Sequence, residues 1–338
     1  MRNSKILLGH GSGGKLTSEL IKKFFVENFN NEILDRLTDS AVFEMENVTI
    51  AFTTDSYVVD PIFFPGGDIG KLAVCGTVND LAVTGAFPYY MSAAYIIEEG
   101  FAFDDLKTVS GSMAEEAMKA GIKIVTGDTK VVNRGQCDKI FINTAGIGLL
   151  EKKNLHIAGG LNIHPDDVII VNGFMGDHGI SVLGAREKIN FEEKLLSDCC
   201  SLNHTISDLL NAGINVKFMR DLTRGGLGTV LAEICENRSF GMIINEKDVP
   251  VREMVKGTCE IFGFDPLYLA NEGKFLLITD REDAERAVEI MKKNRDNSYP
   301  AVIGRVTPEY PGKSVMTSVI GGKRIIDKLT GEMLPRIC

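Results

Sequence analysis

Phe63-Phe64-Pro65-Gly66-Gly67-Asp68-Ile69-Gly70-Lys71 opens the segment whose reading decides the fold; the apolar run behind it holds Val78-Asn79-Asp80-Leu81-Ala82 and stops at Thr84-Gly85. The Pro-Gly-Gly turn presents Asp68 as a helix N-cap, because its short carboxylate can accept the free N–H groups of the first turn. The helix is expected from about Ile69 to Thr84, with Gly85 just past its end as the stop. Within it, Asp80 is a carboxylate among apolar neighbours. An unpaired buried charge costs several kcal/mol, so Asp80 needs a metal, a cation or hydrogen bonds. An ordinary buried cap or ion pair is the plainer alternative.

Outward from this helix the chain alternates. On the N-terminal side, residues 48–54 are a β-rich run ending at Asp55-Ser56, and Leu16 to Phe29 reads as a helix. On the C-terminal side come a strand at 89–97 and an amphipathic helix at 103–120 opened by Asp104-Asp105. A strand at 122–125 then leads into Gly127-Asp128-Thr129-Lys130, and another spans 139–150. Residues 151–166, with Gly159-Gly160 and Pro165, read as a junction. Beyond it lie strands at 168–171, 240–245, 275–279 and 300–306, and helices at about 180–188, 192–211, 225–236, 251–262 and 281–294. Residues 315–320 and 323–326 have the form of a hairpin around Gly321-Gly322. The expected class is α/β and α+β. The expected units are an arm and helix (1–38), an N-terminal domain (39–150), a C-terminal α+β domain (151–306) and a tail (307–338).

A chain of 338 residues exceeds one typical core, so two domains are the prior. A formal net charge of -9 argues against a nucleic-acid partner, without excluding a nucleotide bound through metal ions. Only Ile6-Leu7-Leu8 is apolar near the start, and no run approaches a membrane span, so a cytoplasmic location is expected. Seven cysteines without a C-x-x-C pair read as reduced thiols rather than as a disulfide framework or zinc site. Gly9 to Lys15 fits G-x-x-x-x-G-K, but Leu16 supplies no hydroxyl for Mg²⁺ and no βαβ pattern follows. A glycine-rich flap over a ligand is the better functional reading of His10-Gly11-Ser12-Gly13-Gly14, beside a plain N-terminal arm.

The chain ends on Pro335-Arg336-Ile337-Cys338. A terminal cysteine by itself is compatible with chance. Pro335 stiffens the approach, however, and the α-carboxylate on the same residue disfavours the thiolate. Cys338 therefore reads as a carrier that another enzyme loads, not as a self-activated nucleophile. Four aspartates also stand out by context: Asp39 in Leu-Thr-Asp-Ser, Asp55 in Thr-Thr-Asp-Ser, Asp80, and Asp128 in Thr-Gly-Asp-Thr. Singly each suits a cap or turn; as a set of hard oxygen donors they suit Mg²⁺ with a nucleotide.

Asn79-Asp80-Leu81-Ala82, Gly127-Asp128-Thr129 and Asp221-Leu222-Thr223-Arg224-Gly225-Gly226 resemble the ATP-binding superfamily of aminoimidazole ribonucleotide synthetase, thiamine-monophosphate kinase and selenophosphate synthetase. Within that superfamily, His10 to Gly14, Phe63 to Gly70, Val125 to Val132, Gly176-Asp177-His178-Gly179 and the Pro-Arg-Ile-Cys ending resemble the HypE family of hydrogenase maturation factors. The resemblance covers nearly the whole chain. It implies a two-domain, PurM-like fold with a mobile C-terminal tail and ATP between the domains, and N-terminal strands that pair across a homodimer. It also implies a reaction. A partner carbamoyltransferase loads the terminal thiol, the protein uses ATP to dehydrate the S-carboxamide to a thiocyanate, and an iron-carrying scaffold complex (HypC–HypD) accepts the cyanide for a [NiFe]-hydrogenase.

That chemistry needs ATP to turn an amide oxygen into a phosphate leaving group, with Mg²⁺ expected on Asp39, Asp55, Asp80 and Asp128. Lys71 and Lys130 are candidates to neutralise phosphate oxygens, and Asp221 and Arg224 to shape the nucleotide site. The base that takes the N–H protons is expected to be Glu272, with Lys130 or Arg134 close by and His10 or His178 as alternatives. A small-molecule kinase or synthetase of the same superfamily leaves Cys338 without a purpose. A nucleotide-binding scaffold that docks partners through its tail is the third reading.

Overall fold

The computed structural model describes residues 5–29, 31–191, 193–294, 299–331, 334 and 336–338; Pro335, and the stiffening expected of it, lie outside them. After a short turn at Leu8–Gly11, a helical run opens as α1 (Lys15–Leu20), widens into a π-helical stretch at Ile21–Val26 and closes as α2 (Glu27–Phe29).

The first sheet is built from β1 (Ala41–Met45) and β2 (Val48–Tyr57). A two-residue pair, β3 (Phe63–Phe64) and β4 (Gly67–Asp68), then forms the turn into α3 (Ile69–Val83). The Asp68 carboxylate caps this helix, accepting from Gly70 N at 2.7 Å and Lys71 N at 3.1 Å. After β5 (Ala86–Glu98), α4 (Phe103–Ala120) ends on Gly121 in the left-handed conformation, and β6 (Lys123–Val132) and β7 (Ile140–Leu150) complete the sheet. Its strand order is β1-β2-β7-β5-β6.

α3 is the axle of the molecule. Every residue from Ile69 to Val83 is buried except Lys71 and Asp80, as expected of a helix covered on all sides. Six large aliphatic side chains (Ile69, Leu72, Val74, Val78, Leu81, Val83) are almost wholly buried there, each contributing roughly 1.5–3 kcal/mol. Asn79 ties α3 to the second domain: its Nδ2 donates to the carbonyls of Cys200 (3.0 Å) and Glu272 (3.1 Å), and its Oδ1 accepts from Leu202 N (2.7 Å).

The second domain contains β8 (Val168–Val171), α5 (Asp177–Glu187), α6 (Asn203–Asn211), β9 (Val216–Asp221), α7 (Gly226–Cys235), β10 (Gly241–Asn245) and α8 (Glu253–Phe262). It closes with β11 (Phe275–Thr279), α9 (Ala284–Lys292), β12 (Ala301–Thr307), β13 (Ser314–Thr317) and β14 (Lys323–Ile326). The order β14-β13-β10-β12-β8-β11-β9 places β8 and β11 inside the sheet. Every residue of both is buried, and all are apolar except Thr279 at the end of β11, the composition required where both faces are covered.

Three expectations change. The helix read over 192–211 is helical only from Asn203. The hairpin pairs Thr317 with Lys323, so its loop has five residues, not two. β1 and β9 are additional strands. Among the described residues, no helix is long and apolar enough to cross a membrane.

Candidate active site at the docked C-terminus

Four strand-end or helix positions bring carboxylates together. Asp55 and Tyr57 project from the buried face of β2, Asp80 from α3, Asp221 from the end of β9, and Asp39 from the approach to β1. The Thr53 hydroxyl donates to Asp80 Oδ2 at 2.7 Å, and Tyr57 OH donates to Asp55 Oδ2 at 3.3 Å. Arg220 reaches Asp39 Oδ1 and Glu233 Oε2, both at 3.1 Å, and Arg224 lies 3.9 Å from Asp55. Burial, then the charges of Asp221, Asp55 and Asp39, holds the Asp80 carboxyl well above the usual range. Burial and the charges of Asp39 and Asp55 do the same to Asp221, and burial raises Asp55 against the pull of Arg224. So many carboxylates facing one another make a place that favours added positive charge.

Asp128 is not in this group. Across the sheet, Ser56 pairs with Asn143, Asn143 with Ala94 and Ala94 with Asp128. Residues paired this way share a face, so Asp128 lies on the face opposite Asp55 and three strand spacings away, about 14 Å. It is exposed and bonded to Lys130 Nζ at 2.7 Å, which lowers its pKa. Arg134 is likewise exposed, in the turn after β6 against Gly100. Lys71 lies by Cys75, Cys199, Cys200 and Glu116 and donates to Gly66 O at 3.1 Å, away from the carboxylate group. His10 bonds Leu7 within its own turn. Among the described residues, no three His, Cys, Asp or Glu side chains converge closely enough to hold a metal ion.

Glu272 is 2% exposed, and its Oε1 has no hydrogen-bond partner. Its backbone is fixed on both sides: its N–H donates to Asp198 Oδ1 at 3.0 Å and its carbonyl accepts from Asn79. Behind it Lys274 pairs with Asp198 at 3.5 Å, both side chains buried. Burial, then the charges of Asp221, Asp198 and Asp55, raises the Glu272 carboxyl well above its ordinary value.

Into this place comes the chain's own end. Tyr268 OH donates to Asp327 O (2.7 Å), Lys328 pairs with Glu236 (2.7 Å), and the N-terminal arm meets the tail where Lys15 N donates to Leu329 O (3.0 Å) and Ser12 Oγ to Gly331 O (3.1 Å). The last residues pair with the segment after β2: Val58 N donates to Cys338 O at 3.1 Å and Asp60 N to Arg336 O at 3.2 Å. Ile337 is 4% exposed in the core around α3. Cys338 lines a cavity of about 210 Å³ together with Ser12, Ser56, Arg224 and Gly225. Burial pushes its thiol up to about 12; Arg224 opposes this, whereas Glu272, Asp55 and Asp221 add to it. The terminal residue thus shares a cavity with Arg224, within electrostatic reach of Glu272, Asp55 and Asp221. Asp39, Asp55 and Asp80 were readable from their local context, but the roles of Asp198, Lys274 and Arg220 were not; for Asp198 and Arg220 the sign was a charge beside apolar residues.

Comparison with known proteins places this geometry. The family model "AIR synthase related protein, N-terminal domain" matches residues 37–150, and "AIR synthase related protein, C-terminal domain" matches residues 164–316. Carbamoyl dehydratase HypE of Rhodobacter capsulatus is 46% identical over 100% of this chain and 99% of its own length. The chain belongs to the HypE family. A crystal structure of HypE in complex with ATP superimposes with a TM-score of 0.82 at 44% identity, covering 99% of this chain and 100% of that one. HypE in a HypE–HypF complex gives a TM-score of 0.85 at 44% identity, covering 92% and 99%. The two-domain PurM-like fold expected from the motifs is therefore the fold of this HypE family member.

Proposed function

We propose that this chain is an ATP-dependent carbamoyl dehydratase of hydrogenase maturation acting on its own Cys338. The observation that carries the reading is the position of the terminal sulfur, docked beside Glu272, Arg224 and the carboxylate group by the last three residues. The balanced reaction is R–S–C(=O)NH₂ + ATP → R–S–C≡N + ADP + phosphate + H⁺. The amide oxygen takes the γ-phosphoryl group and leaves as phosphate, and both N–H protons depart. Glu272, an unpartnered buried carboxyl of raised proton affinity, accepts an N–H proton. Arg224 offsets charge developing on the transferred phosphoryl group. Docking excludes water, which would return the carbamoyl group to solvent as a wasted load.

Mg²⁺ fits the donor set: hard oxygen ligands, mutually repelling, with too few cations nearby. Asp39, Asp55, Asp80 and Asp221 are the residues within reach. Among the described residues no ligand trio is preformed; the ion would arrive with the nucleotide and neutralise phosphate charge. Asp128 and Lys130 join a site only across a subunit boundary. The open face of the first sheet, with Phe52, Tyr90, Ile96, Ile147 and Leu149 all exposed, suits a homodimer contact. The proposed partners are a carbamoyltransferase that loads Cys338 and an iron-carrying HypC–HypD scaffold that accepts cyanide, all in the cytoplasm.

The test is to supply the carbamoyltransferase, carbamoyl phosphate and ATP and weigh the intact chain. A carbamoyl adduct of about 43 Da should fall to about 25 Da, values set by the chemistry of covalent loading. Adducts on Cys338→Ala would refute the carrier role.

A further inference from the structure

We propose that His178 and Arg186, both on α5, are positioning residues of the dehydration: they grip the carbonyls of the last residues and so fix the sulfur of Cys338 against Glu272. The inference deepens the proposed dehydratase reading and rests on it. His178 is fully buried, with Nε2 2.8 Å from Ile337 O and Nδ1 2.8 Å from Ser197 Oγ. A carbonyl can only accept, so Nε2 carries the proton, and Nδ1 accepts from Ser197, whose oxygen in turn accepts from Cys199 N at 3.1 Å. The ring is fixed in one tautomer that presents a donor to the tail. Two helical turns on, about 12 Å along the axis, Arg186 donates to Asp60 O through Nε (2.8 Å) and Nη2 (2.7 Å), and through Nη2 to Arg336 O at 2.8 Å. One guanidinium thus staples the tail to the segment it pairs with.

The same helix is bolted to the strip that carries Glu272. Gly176 N, at its start, donates to Asn271 Oδ1 at 2.7 Å, and Gly179 N donates to Ala270 O at 3.1 Å. Asn271 is itself held by three bonds to the backbone at Leu222 and Leu269, two from its side chain and one from its own N–H. The grip on the sulfur's backbone and the carboxyl of Glu272 therefore belong to one rigid body. The interactions with His178, Arg186, Val58 and Asp60 all engage tail backbone, so the site reads the path of the chain. Among the described residues, the tail's side-chain contacts include those of Leu334 and the buried Ile337 with the core and those of Arg336, which pairs with Asp138 and donates to Val58 O at 3.0 Å.

The experiment uses the full chain, loaded by the carbamoyltransferase, and follows the first-order loss of water after ATP is added. In His178→Ala and Arg186→Met the rate should fall about 100-fold, the usual penalty for a displacement near 1 Å. Carbamoyl loading and ATP affinity should stay within about twofold of the parent. His178→Gln, which restores an N–H donor, should recover at least about tenfold of the rate. Alkylation of unloaded Cys338 should be about tenfold faster in the Ala and Met variants, a readout that a purely structural defect elsewhere would leave alone. Parental dehydration rates in both variants, or ATP affinity falling in step with the rate, overturn the proposal. If His178→Ala does not fold, half-buried Arg186 decides alone. If the parent chain itself never loses water, the dehydratase reading fails instead.

Discussion

Replacing Glu272 by Gln removes the proposed base with little other disturbance. Glu272 bonds Asp198 and Asn79 through its backbone, and its Oε1 has no partner to lose among the described residues. Burial and the carboxylates of Asp221, Asp198 and Asp55 favour the uncharged form of the carboxyl, so an amide of the same shape should leave the unfolding midpoint close to the parent's. The dehydration step, by contrast, loses proton abstraction, which is worth about 10²–10⁴-fold, or roughly 3–5 kcal/mol of barrier. Rapid quenching followed by intact-mass measurement reads the step directly as the change from carbamoyl to cyano adduct. The pH profile supplies a second check. A base of raised proton affinity makes the parent's rate climb with pH as the carboxyl loses its proton, and the Gln variant should be flat over the same range. A Gln variant that dehydrates within threefold of the parent would remove Glu272 from the mechanism, whatever its stability.

Burial lifts the Asp177 carboxyl from 3.8 to about 6 despite Arg252 2.9 Å away. The folded state then holds this proton more tightly than the unfolded state. Its contribution is complete below about pH 4 and is lost as pH rises through about 6, on the order of 3 kcal/mol; Asp177→Asn should gain on the parent by that order between pH 4 and pH 7 in urea unfolding, and parallel profiles would contradict it. Arg220→Met leaves the half-buried Asp39 and Glu233 carboxylates without their cation and should cost about 3 kcal/mol, the low end for a broken buried pair; a change below 1 kcal/mol would mean the pair is solvated. Ile147→Glu, on the exposed face of the first sheet, should turn the proposed dimer into a monomer by light scattering, and an unchanged mass would place the contact elsewhere.

Local chemistry was the legible part of the sequence. The cap at Asp68 and the stop at Gly85 bound α3 much as a short-range reading requires, because both act within one turn of the helix. Residues 193–202 misled for the opposite reason. Leu195, Cys199, Cys200 and Leu202 are buried as a helical face would be, yet the backbone finds its partners in Asn79, more than a hundred positions away. Asp128 was grouped with Asp55 on motif context, but the paired rows of the sheet assign them to opposite faces. The helix expected at about 180–188 includes Arg186 but not His178, which α5 gains by starting at Asp177; what the helix holds had no sign, since the carbonyls of Arg336 and Ile337 carry no side-chain signature.

The tether also bears on concentration. Eleven residues separate the end of β14 from Cys338, and a tether of such length holds its cargo at an effective concentration of about millimolar. Dehydration should therefore proceed at the same rate however dilute the protein is. The dock itself can be weak, with an intrinsic dissociation constant near millimolar, and still be occupied about half the time. Weak occupancy of this kind lets one sulfur serve three stations in turn, the loading enzyme, this cleft and the acceptor, without any of them having to pull it from a tight complex.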